Sequence, residues 1–360
     1  MTKDRVAQWI RPEIQRLSAY RVADAADLIK LDAMENPYTW SPELIEAWLE
    51  RLRQVSVNRY PDPQARSLKL RLRQYLALPE DMEMILGNGS DELIQMVLLA
   101  VAGPGRSVVA PEPTFVMYRQ IAALLGLQYQ GVALREDFSL DLPAMLQVIR
   151  ERVPAVVFIA YPNNPTGNLF SAEELQAIIE ASPGLVIVDE AYSVFAGETF
   201  MPRLEDYDHL LVMRTLSKIG LAGLRLGMLM GNPAWIKELE KVRLPYNINQ
   251  LTQVSAEFAL EQPGGLDEQA RLICKARAQL QRALQQLPGI QVYPSDANFI
   301  LFRTPPHQAE AIFTAIKERG VLIKNLSGQG GLLTDCLRVT VGTADENHAF
   351  LKALKAGRKN

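Results

Sequence analysis

Three apolar segments, each of which stops abruptly at polar residues, restrict this chain to a small number of folds. They read A-V-V-F-I-A from residue 155, L-V-I-V from residue 185 and L-L-V-M from residue 210, and helical stretches such as 171–180 separate them. Continuous Val, Ile and Leu segments are typical of strands in a parallel sheet that is buried on both faces. We therefore expect an α/β fold in which these strands lie side by side.

The polar residues that follow these strands should meet at one edge of the sheet. Asn164, Asp189 and Lys218 follow the first, second and third strand. Open α/β sheets bind ligands outside the carboxyl ends of their strands, and a lysine amine forms Schiff bases with carbonyl compounds, including pyridoxal phosphate. A buried carboxylate at Asp189 needs a cationic partner, which a protonated ring nitrogen would supply. Taken alone, Lys218 is equally compatible with a solvated loop lysine.

Two further segments have the chemistry of a phosphate site. Thr215, Ser217 and Arg225 provide hydroxyl and guanidinium groups, which suit phosphate oxygens. The segment G-N-G-S-D-E, residues 87–92, places glycines before a helix that begins at Ser90, and backbone N–H groups at a helix N-terminus bind anions. The same segment is also compatible with an ordinary helix cap followed by acidic residues.

Composition excludes several classes of protein. The chain has 360 residues, 48% of them hydrophobic, and a formal charge of -3, which gives no reason to expect nucleic acid or a membrane as partner. No apolar segment approaches the ~20 residues that span a bilayer, and the charged first residues do not resemble a secretory signal. Two cysteines and three separated histidines predict neither a disulfide framework nor a metal site. We therefore expect a cytoplasmic protein.

The length and the element pattern predict more than one domain. We expect an N-terminal arm over residues 1–32, a large domain over 33–245 and a small α+β domain over 246–360, with the boundary where L-P-Y-N-I-N-Q interrupts a helix. Apolar periodicity and capping residues predict helices over 42–52, 67–76, 171–180, 250–260, 266–287 and 309–319.

Seven motifs, taken together, resemble the fold type I pyridoxal-phosphate-dependent aminotransferases, most closely the histidinol-phosphate aminotransferases. The motifs are M-E-N-P, R-Y-P-D-P, G-N-G-S-D-E, Y-P-N-N-P-T-G, V-D-E-A-Y, R-T-L-S-K with G-L-A-G-L-R-L-G, and L-R-V-T-V-G. They occur in the family's order and cover about residues 18–350. The resemblance implies a large domain with a mostly parallel sheet between helices, a smaller α+β domain and an N-terminal arm.

The resemblance also implies roles for individual residues around the cofactor pyridoxal 5'-phosphate. Lys218 would form the Schiff base and, once released, shuttle a proton between Cα and C4′. Asp189 would pair with the ring N–H, Asn164 and Tyr192 would bind the phenolate oxygen, and Phe115 would stack on the ring. From the residues alone, Phe115 is equally compatible with a core position.

Further residues are assigned by resemblance to phosphate and substrate binding. The cofactor phosphate would be bound by Ser90, Asp91 and Glu92, chiefly through backbone N–H groups, and by the side chains of Thr215, Ser217 and Arg225. Tyr60 of a neighbouring subunit would also reach it, which implies a homodimer. The substrate would contact Arg338, Tyr20, Asn36 and Lys324. The step from Lys218 to Arg225 is one residue shorter than in many relatives, so the intervening loop is expected to take a different path.

The implied reaction converts L-histidinol phosphate and 2-oxoglutarate to imidazole acetol phosphate and L-glutamate, a step of histidine biosynthesis. The partners are then a small-molecule amino donor and a 2-oxo acid. An aromatic amino-acid aminotransferase and a threonine-phosphate decarboxylase remain open, because pocket residues rather than the cofactor site select the substrate. A more remote alternative is a regulatory domain that binds pyridoxal phosphate.

Overall fold

The strands fall into a large sheet in the first two thirds of the chain and smaller sheets formed mainly by the last third. The computed structural model describes residues 2–17, 19 and 23–358. Within these residues the strands are β1 (Ile29–Lys30), β2 (Glu83–Asn88), β3 (Ser107–Glu112), β4 (Gln128–Ala133), β5 (Val156–Ala160), β6 (Leu185–Asp189), β7 (Leu210–Thr215), β8 (Leu226–Gly231), β9 (Gln291–Val292), β10 (Phe299–Arg303), β11 (Val321–Leu322), β12 (Lys324–Asn325) and β13 (Cys336–Thr340).

The helices agree closely with the sequence-based predictions. They are α1 (Thr2–Trp9), α2 (Pro12–Gln15), α3 (Pro42–Leu52), α4 (Arg66–Leu76), α5 (Ser90–Val101), α6 (Val116–Leu124), α7 (Leu142–Arg152), α8 (Ala172–Ala181), α9 (Pro233–Leu239), α10 (Gln250–Glu261), α11 (Pro263–Gln285), α12 (Ala309–Glu318) and α13 (Ala344–Gly357). α3 begins as predicted, because the Ser41 side chain caps the Leu44 N–H and Pro42 occupies the first turn. None of the helices in the described part of the chain has both the length and the apolar character needed to cross a membrane.

The large sheet confirms the predicted α/β fold. Among the described residues it contains seven strands in the order β2-β8-β7-β6-β5-β3-β4. Only β8 runs antiparallel to its neighbours, and the remaining pairs are parallel. Every residue of β5 and β6 is buried, because helices cover both faces of the sheet. The C-terminal ends of β5, β6 and β7 therefore lie at one edge, as the three apolar segments predicted.

An antiparallel sheet in the order β12-β13-β10-β9 forms the centre of the C-terminal region. The short strand β1 pairs in parallel with β11 and so attaches residues near the N-terminus to this region. Two hydrogen bonds continue the attachment, from the Thr340 N–H to the Leu31 carbonyl oxygen at 2.9 Å and from the Met34 N–H to Thr340 Oγ1 at 2.9 Å. Residues 31–34 are thereby held beside the edge of the large sheet. The three-part division of the chain at residues 32 and 245 stays a prediction.

Candidate active site

A cavity lies at the C-terminal edge of the large sheet, between the ends of β5, β6 and β7 and the first turns of α5 and α6. Most of the predicted cofactor residues line it. The predicted residues outside its walls are Glu92, Tyr60, Arg338, Asn36 and Lys324. Tyr20 lies outside the described residues.

Lys218 enters the cavity from a short turn at the end of β7. Thr215 closes the strand, and its Oγ1 accepts a hydrogen bond from the Ser217 N–H at 3.1 Å and donates to Ser217 Oγ at 2.9 Å. The Lys218 Nζ donates to the Ala33 carbonyl oxygen at 3.4 Å and lies 5.7 Å from the centre of the Tyr192 ring. Burial, followed by the positive charge of Arg338, lowers the Lys218 pKa to about 8. An amine with this pKa is a better nucleophile and base at neutral pH than an ordinary lysine.

Asp189 ends β6 and is only 4% exposed. Its Oδ1 accepts a hydrogen bond from the Ala191 N–H at 3.1 Å, and its Oδ2 accepts one from the Tyr118 hydroxyl at 2.6 Å. Burial raises the Asp189 pKa to about 6 although both hydrogen bonds act in the opposite direction. No Lys, Arg or His side chain among the described residues forms an ion pair with this carboxylate. A cationic ring nitrogen in the cavity would therefore stabilise it.

Asn164, Tyr192 and Arg338 form a hydrogen-bonded chain on one side of the cavity. Asn164 Nδ2 donates to the Tyr192 hydroxyl at 3.0 Å, and Arg338 Nη1 donates to Asn164 Oδ1 at 2.5 Å. Arg338 also donates from Nη2 to the Asp32 carbonyl oxygen at 3.2 Å, and its guanidinium lies 5.1 Å from the centre of the Phe299 ring. Arg338 belongs to β13, so the C-terminal sheet supplies a residue that is hydrogen-bonded to the cavity wall through Asn164.

The N-terminus of α5 gives the cavity its anion-binding end. Gly89, with a φ of 82°, directly precedes Ser90, and a Cβ at Gly227 would lie 2.6 Å from the Gly89 backbone. Strand β8 can approach the first turn of α5 so closely only because residue 227 is a glycine. The Arg225 guanidinium lies 3.7 Å from an Asp91 carboxylate oxygen, at the same end. Backbone N–H groups and a guanidinium thus converge on one place, an arrangement that suits a phosphate group.

Glu92 does not direct its carboxylate into the cavity. Its Oε2 accepts hydrogen bonds from the Asn88 N–H at 2.7 Å and from Asn247 Nδ2 at 2.9 Å. An acidic residue at the third helical position commonly caps the helix start in this way. Any contribution of Glu92 to anion binding is therefore limited to its backbone N–H group.

Phe115 lines the cavity and directly precedes α6. Its ring packs edge-on against the Tyr118 ring, with centroids 5.6 Å apart and planes at 85°. The sequence reasoning singled out Phe115 but missed Tyr118. The available signal was their separation of three residues, which places both side chains on one side of a helix start.

Lys324 lies beside Arg338 although it does not line the cavity. The two residues face each other directly across the antiparallel ladder between β12 and β13. Side chains at directly opposed positions project from the same face of a sheet, with Cβ atoms about 4.5–5.5 Å apart. Two cationic side chains are therefore presented together next to the cavity.

Tyr60 and Asn36 contact residues outside the cavity walls. Tyr60 is 80% exposed and stacks on Tyr246, with ring centroids 4.4 Å apart. Asn36 Nδ2 donates to Gln269 Oε1 at 2.9 Å, and its Oδ1 accepts from the Tyr38 N–H at 2.9 Å. Within the described chain, the Asn36 amide is therefore bonded to α11 and to its own loop.

Comparisons with known proteins agree with this geometry. The sequence profile of the family described as aminotransferase class I and II matches residues 26–354. The chain is 51% identical to histidinol-phosphate aminotransferase of Chromobacterium violaceum over 97% of this chain and 98% of that protein, and 48% identical to histidinol-phosphate aminotransferase 1 of Ralstonia nicotianae over 98% and 95%. Its fold is similar to the crystal structure of histidinol-phosphate aminotransferase from Sinorhizobium meliloti in complex with pyridoxal-5'-phosphate, with a TM-score of 0.87, 24% identity and 98% of each chain covered.

A profile match over nearly the whole chain, relatives that match over nearly their full length and a lysine at the end of a buried strand lead to one assignment. The chain belongs to the aminotransferase class I and II family.

Proposed function

We propose that this enzyme is a pyridoxal-phosphate-dependent histidinol-phosphate aminotransferase, which converts L-histidinol phosphate and 2-oxoglutarate to imidazole acetol phosphate and L-glutamate. The observation that carries the proposal is the identity of 51% and 48% to curated histidinol-phosphate aminotransferases over nearly the full length of both chains. A cytoplasmic location and a role in histidine biosynthesis belong to the same proposal.

The cavity fits pyridoxal 5'-phosphate at several independent points. The Lys218 amine is placed to bind its aldehyde carbon, and Asp189, a buried carboxylate bonded only to neutral N–H and O–H groups in the described chain, suits its protonated ring nitrogen. The first turn of α5 and Arg225 suit its phosphate, and Phe115 suits a face of its ring. When bound, the cofactor withdraws electrons from the substrate Cα and so makes removal of the Cα proton feasible.

Lys218 is the group best suited to move that proton. Its pKa of about 8 leaves part of the amine neutral near physiological pH, so Nζ can accept a proton and later donate it. Positioned general-base catalysis of this kind typically contributes ~10²- to 10⁴-fold to the rate.

The pairing of Lys324 with Arg338 is evidence that the substrate carries an anionic group. Like charges placed directly opposite each other in a sheet repel, and a bound anion removes that repulsion. Histidinol phosphate has a phosphate but no carboxylate, whereas glutamate has carboxylates and no phosphate. Arg338 therefore has to bind phosphate in one half-reaction and a carboxylate in the other, and a planar guanidinium can pair with both groups.

We also propose a homodimer in which Tyr60 reaches the cofactor phosphate of the partner subunit. Tyr60 is 80% exposed and does not line the cavity of its own chain. Its stacking partner Tyr246 is 40% exposed, so the two rings present a flat aromatic surface to the outside. Tyrosine is favoured at interfaces, because its ring can be buried while its hydroxyl reaches a polar partner.

An amino-donor screen tests the proposed function. Purified protein loaded with pyridoxal phosphate is mixed with L-histidinol phosphate, an aromatic amino acid or threonine phosphate, and the products of a single turnover are identified by mass spectrometry. We expect imidazole acetol phosphate from the first donor at a rate at least ~100-fold above that of the others. Preferred transfer from the aromatic amino acid, or release of carbon dioxide from threonine phosphate, contradicts the proposal.

A further inference from the structure

Tyr118 is a buried polar residue next to the cavity to which neither the sequence motifs nor the proposed reaction assigns a role. It lies in the first turn of α6 with 0% exposure. Its ring is stacked on Phe158, with centroids 4.6 Å apart and planes at 9°, and packs edge-on against Phe115. Two aromatic contacts at different angles fix the orientation of the ring and therefore the direction of the hydroxyl.

The Tyr118 hydroxyl is directed at the carboxylate of Asp189. The distance from the hydroxyl to Asp189 Oδ2 is 2.6 Å, and both groups are buried. Burial, reinforced by the negative charge of Asp189, raises the Tyr118 pKa well above its ordinary value, so the tyrosine stays neutral and donates the hydrogen bond. A hydrogen bond donated to a carboxylate favours the charged form of that carboxylate.

The surroundings of Asp189 show why such a donor is needed. Burial alone favours the neutral carboxylic acid, which cannot attract a protonated ring nitrogen. Tyr118 and the Ala191 N–H each bind one carboxylate oxygen, so the side chain is held at two points. Each oxygen keeps a further lone pair that can face the cavity.

We propose that Tyr118 is a positioning residue for the cofactor, which keeps the Asp189 carboxylate ionised and oriented toward the ring nitrogen. The inference rests on the proposed function, since it requires pyridoxal phosphate in the cavity. The same tyrosine also supports Phe115, so one side chain fixes both the carboxylate at the ring nitrogen and the aromatic group at the ring face.

The test uses cofactor affinity rather than catalysis. Cofactor-free wild type and Tyr118→Phe are titrated with pyridoxal phosphate and with its analogue in which a CH group replaces the ring nitrogen. We expect Tyr118→Phe to weaken pyridoxal phosphate binding by about tenfold or more, since hydrogen bonds to charged groups are strong, and to change analogue binding by less than about twofold. A matched control is Tyr293→Phe, which removes the hydroxyl of another buried tyrosine, one that packs on Phe138 and lies outside the cavity. It should change neither affinity.

Two further variants separate positioning from a structural role. Asp189→Asn should abolish the preference for pyridoxal phosphate over the analogue, and adding Tyr118→Phe to it should have no further effect on that preference. Tyr118→His, whose ring N–H can also donate, should retain the preference and provides the test if Tyr118→Phe does not fold. Loss of the preference in Tyr118→His to the extent seen in Asp189→Asn then overturns the inference.

If Tyr118→Phe weakens the binding of pyridoxal phosphate and of the analogue equally, the tyrosine only supports the fold or Phe115. That result overturns the inference. Unchanged binding of both ligands overturns it as well, while the proposed function stands. Failure of the wild type to bind pyridoxal phosphate instead refutes the proposed function on which the inference rests.

Discussion

Replacing Lys218 by methionine should abolish amino transfer and, at the same time, stabilise the cofactor-free protein at neutral pH. The folded structure lowers the lysine pKa from 10.5 to about 8, chiefly by burial. Each pKa unit corresponds to about 1.4 kcal/mol, so a charged Lys218 costs the cofactor-free fold up to about 3 kcal/mol. Methionine has a similar length and no charge, so the variant avoids this cost.

The stability gained by the methionine variant over wild type should decrease as the pH rises. Below pH 8 the lysine is charged in both the folded and the unfolded protein, and the whole cost applies. Between about pH 8 and 10.5 the folded protein releases the proton while the unfolded chain keeps it, so the stability contributed by this group rises with pH. The difference in unfolding free energy between variant and wild type should therefore shrink by about 2 kcal/mol from pH 7 to pH 9.5.

Urea unfolding of the cofactor-free proteins at pH 7 and pH 9.5 measures this difference. Lys352→Met is a suitable control, because it makes the same substitution at an exposed lysine on α13, outside the cavity. A Lys218→Met variant that is less stable than wild type at pH 7, or whose advantage is the same at both pH values, would refute the reasoning.

Three further predictions concern the substrate and the subunit interface. Arg338→Lys should lower kcat/KM about 100-fold in both half-reactions, because an ammonium group cannot pair bidentately with phosphate or carboxylate; normal rates would contradict the assigned role. Lys324→Gln should raise the KM for L-histidinol phosphate about tenfold and change that for glutamate by less than about twofold, because a phosphate carries more negative charge than a carboxylate and gains more from the second cation beside Arg338; equal effects in steady-state assays with each donor would argue against this. Tyr60→Ala and Lys218→Met subunits, each poorly active alone, should regain activity in mixed dimers, because one site then contains both native residues; no gain after mixing and refolding would exclude a shared site.

The ligand-binding edge of the large sheet was predictable, because three apolar segments of the sequence are each followed by polar residues. β5, β6 and β7 contain the apolar segments V-V-F-I-A, L-V-I-V and L-L-V-M, and the polar segments Y-P-N-N, D-E-A-Y and T-L-S-K come at or near their ends. Both the parallel sheet and the meeting of Asn164, Asp189 and Lys218 follow from strand direction. Helix ends were predictable where capping residues are present, as at Ser41 before α3. The helix expected from residue 266 begins at Pro263, since proline is favoured in the first turn and G-G does not stop a helix at its N-terminus.

Contacts between distant residues could not be predicted in this way. The hydrogen bond from Tyr118 to Asp189 joins residues 71 positions apart and depends on how α6 packs on the sheet. The pairing of Lys324 with Arg338 likewise depends on the register between β12 and β13, which apolar periodicity does not define. The hydrogen bond from the Asn88 N–H to the Glu92 carboxylate was not predicted either, because side-chain direction at the third helical position is set by local geometry.

Borohydride reduction of the protein loaded with pyridoxal phosphate, followed by peptide mapping, tests most directly whether the lysine at the end of β7 holds the cofactor. We predict that reduction attaches the pyridoxyl group to Lys218, and that prior addition of L-histidinol phosphate prevents the labelling. Attachment to another lysine, or labelling that histidinol phosphate does not reduce, would contradict the account.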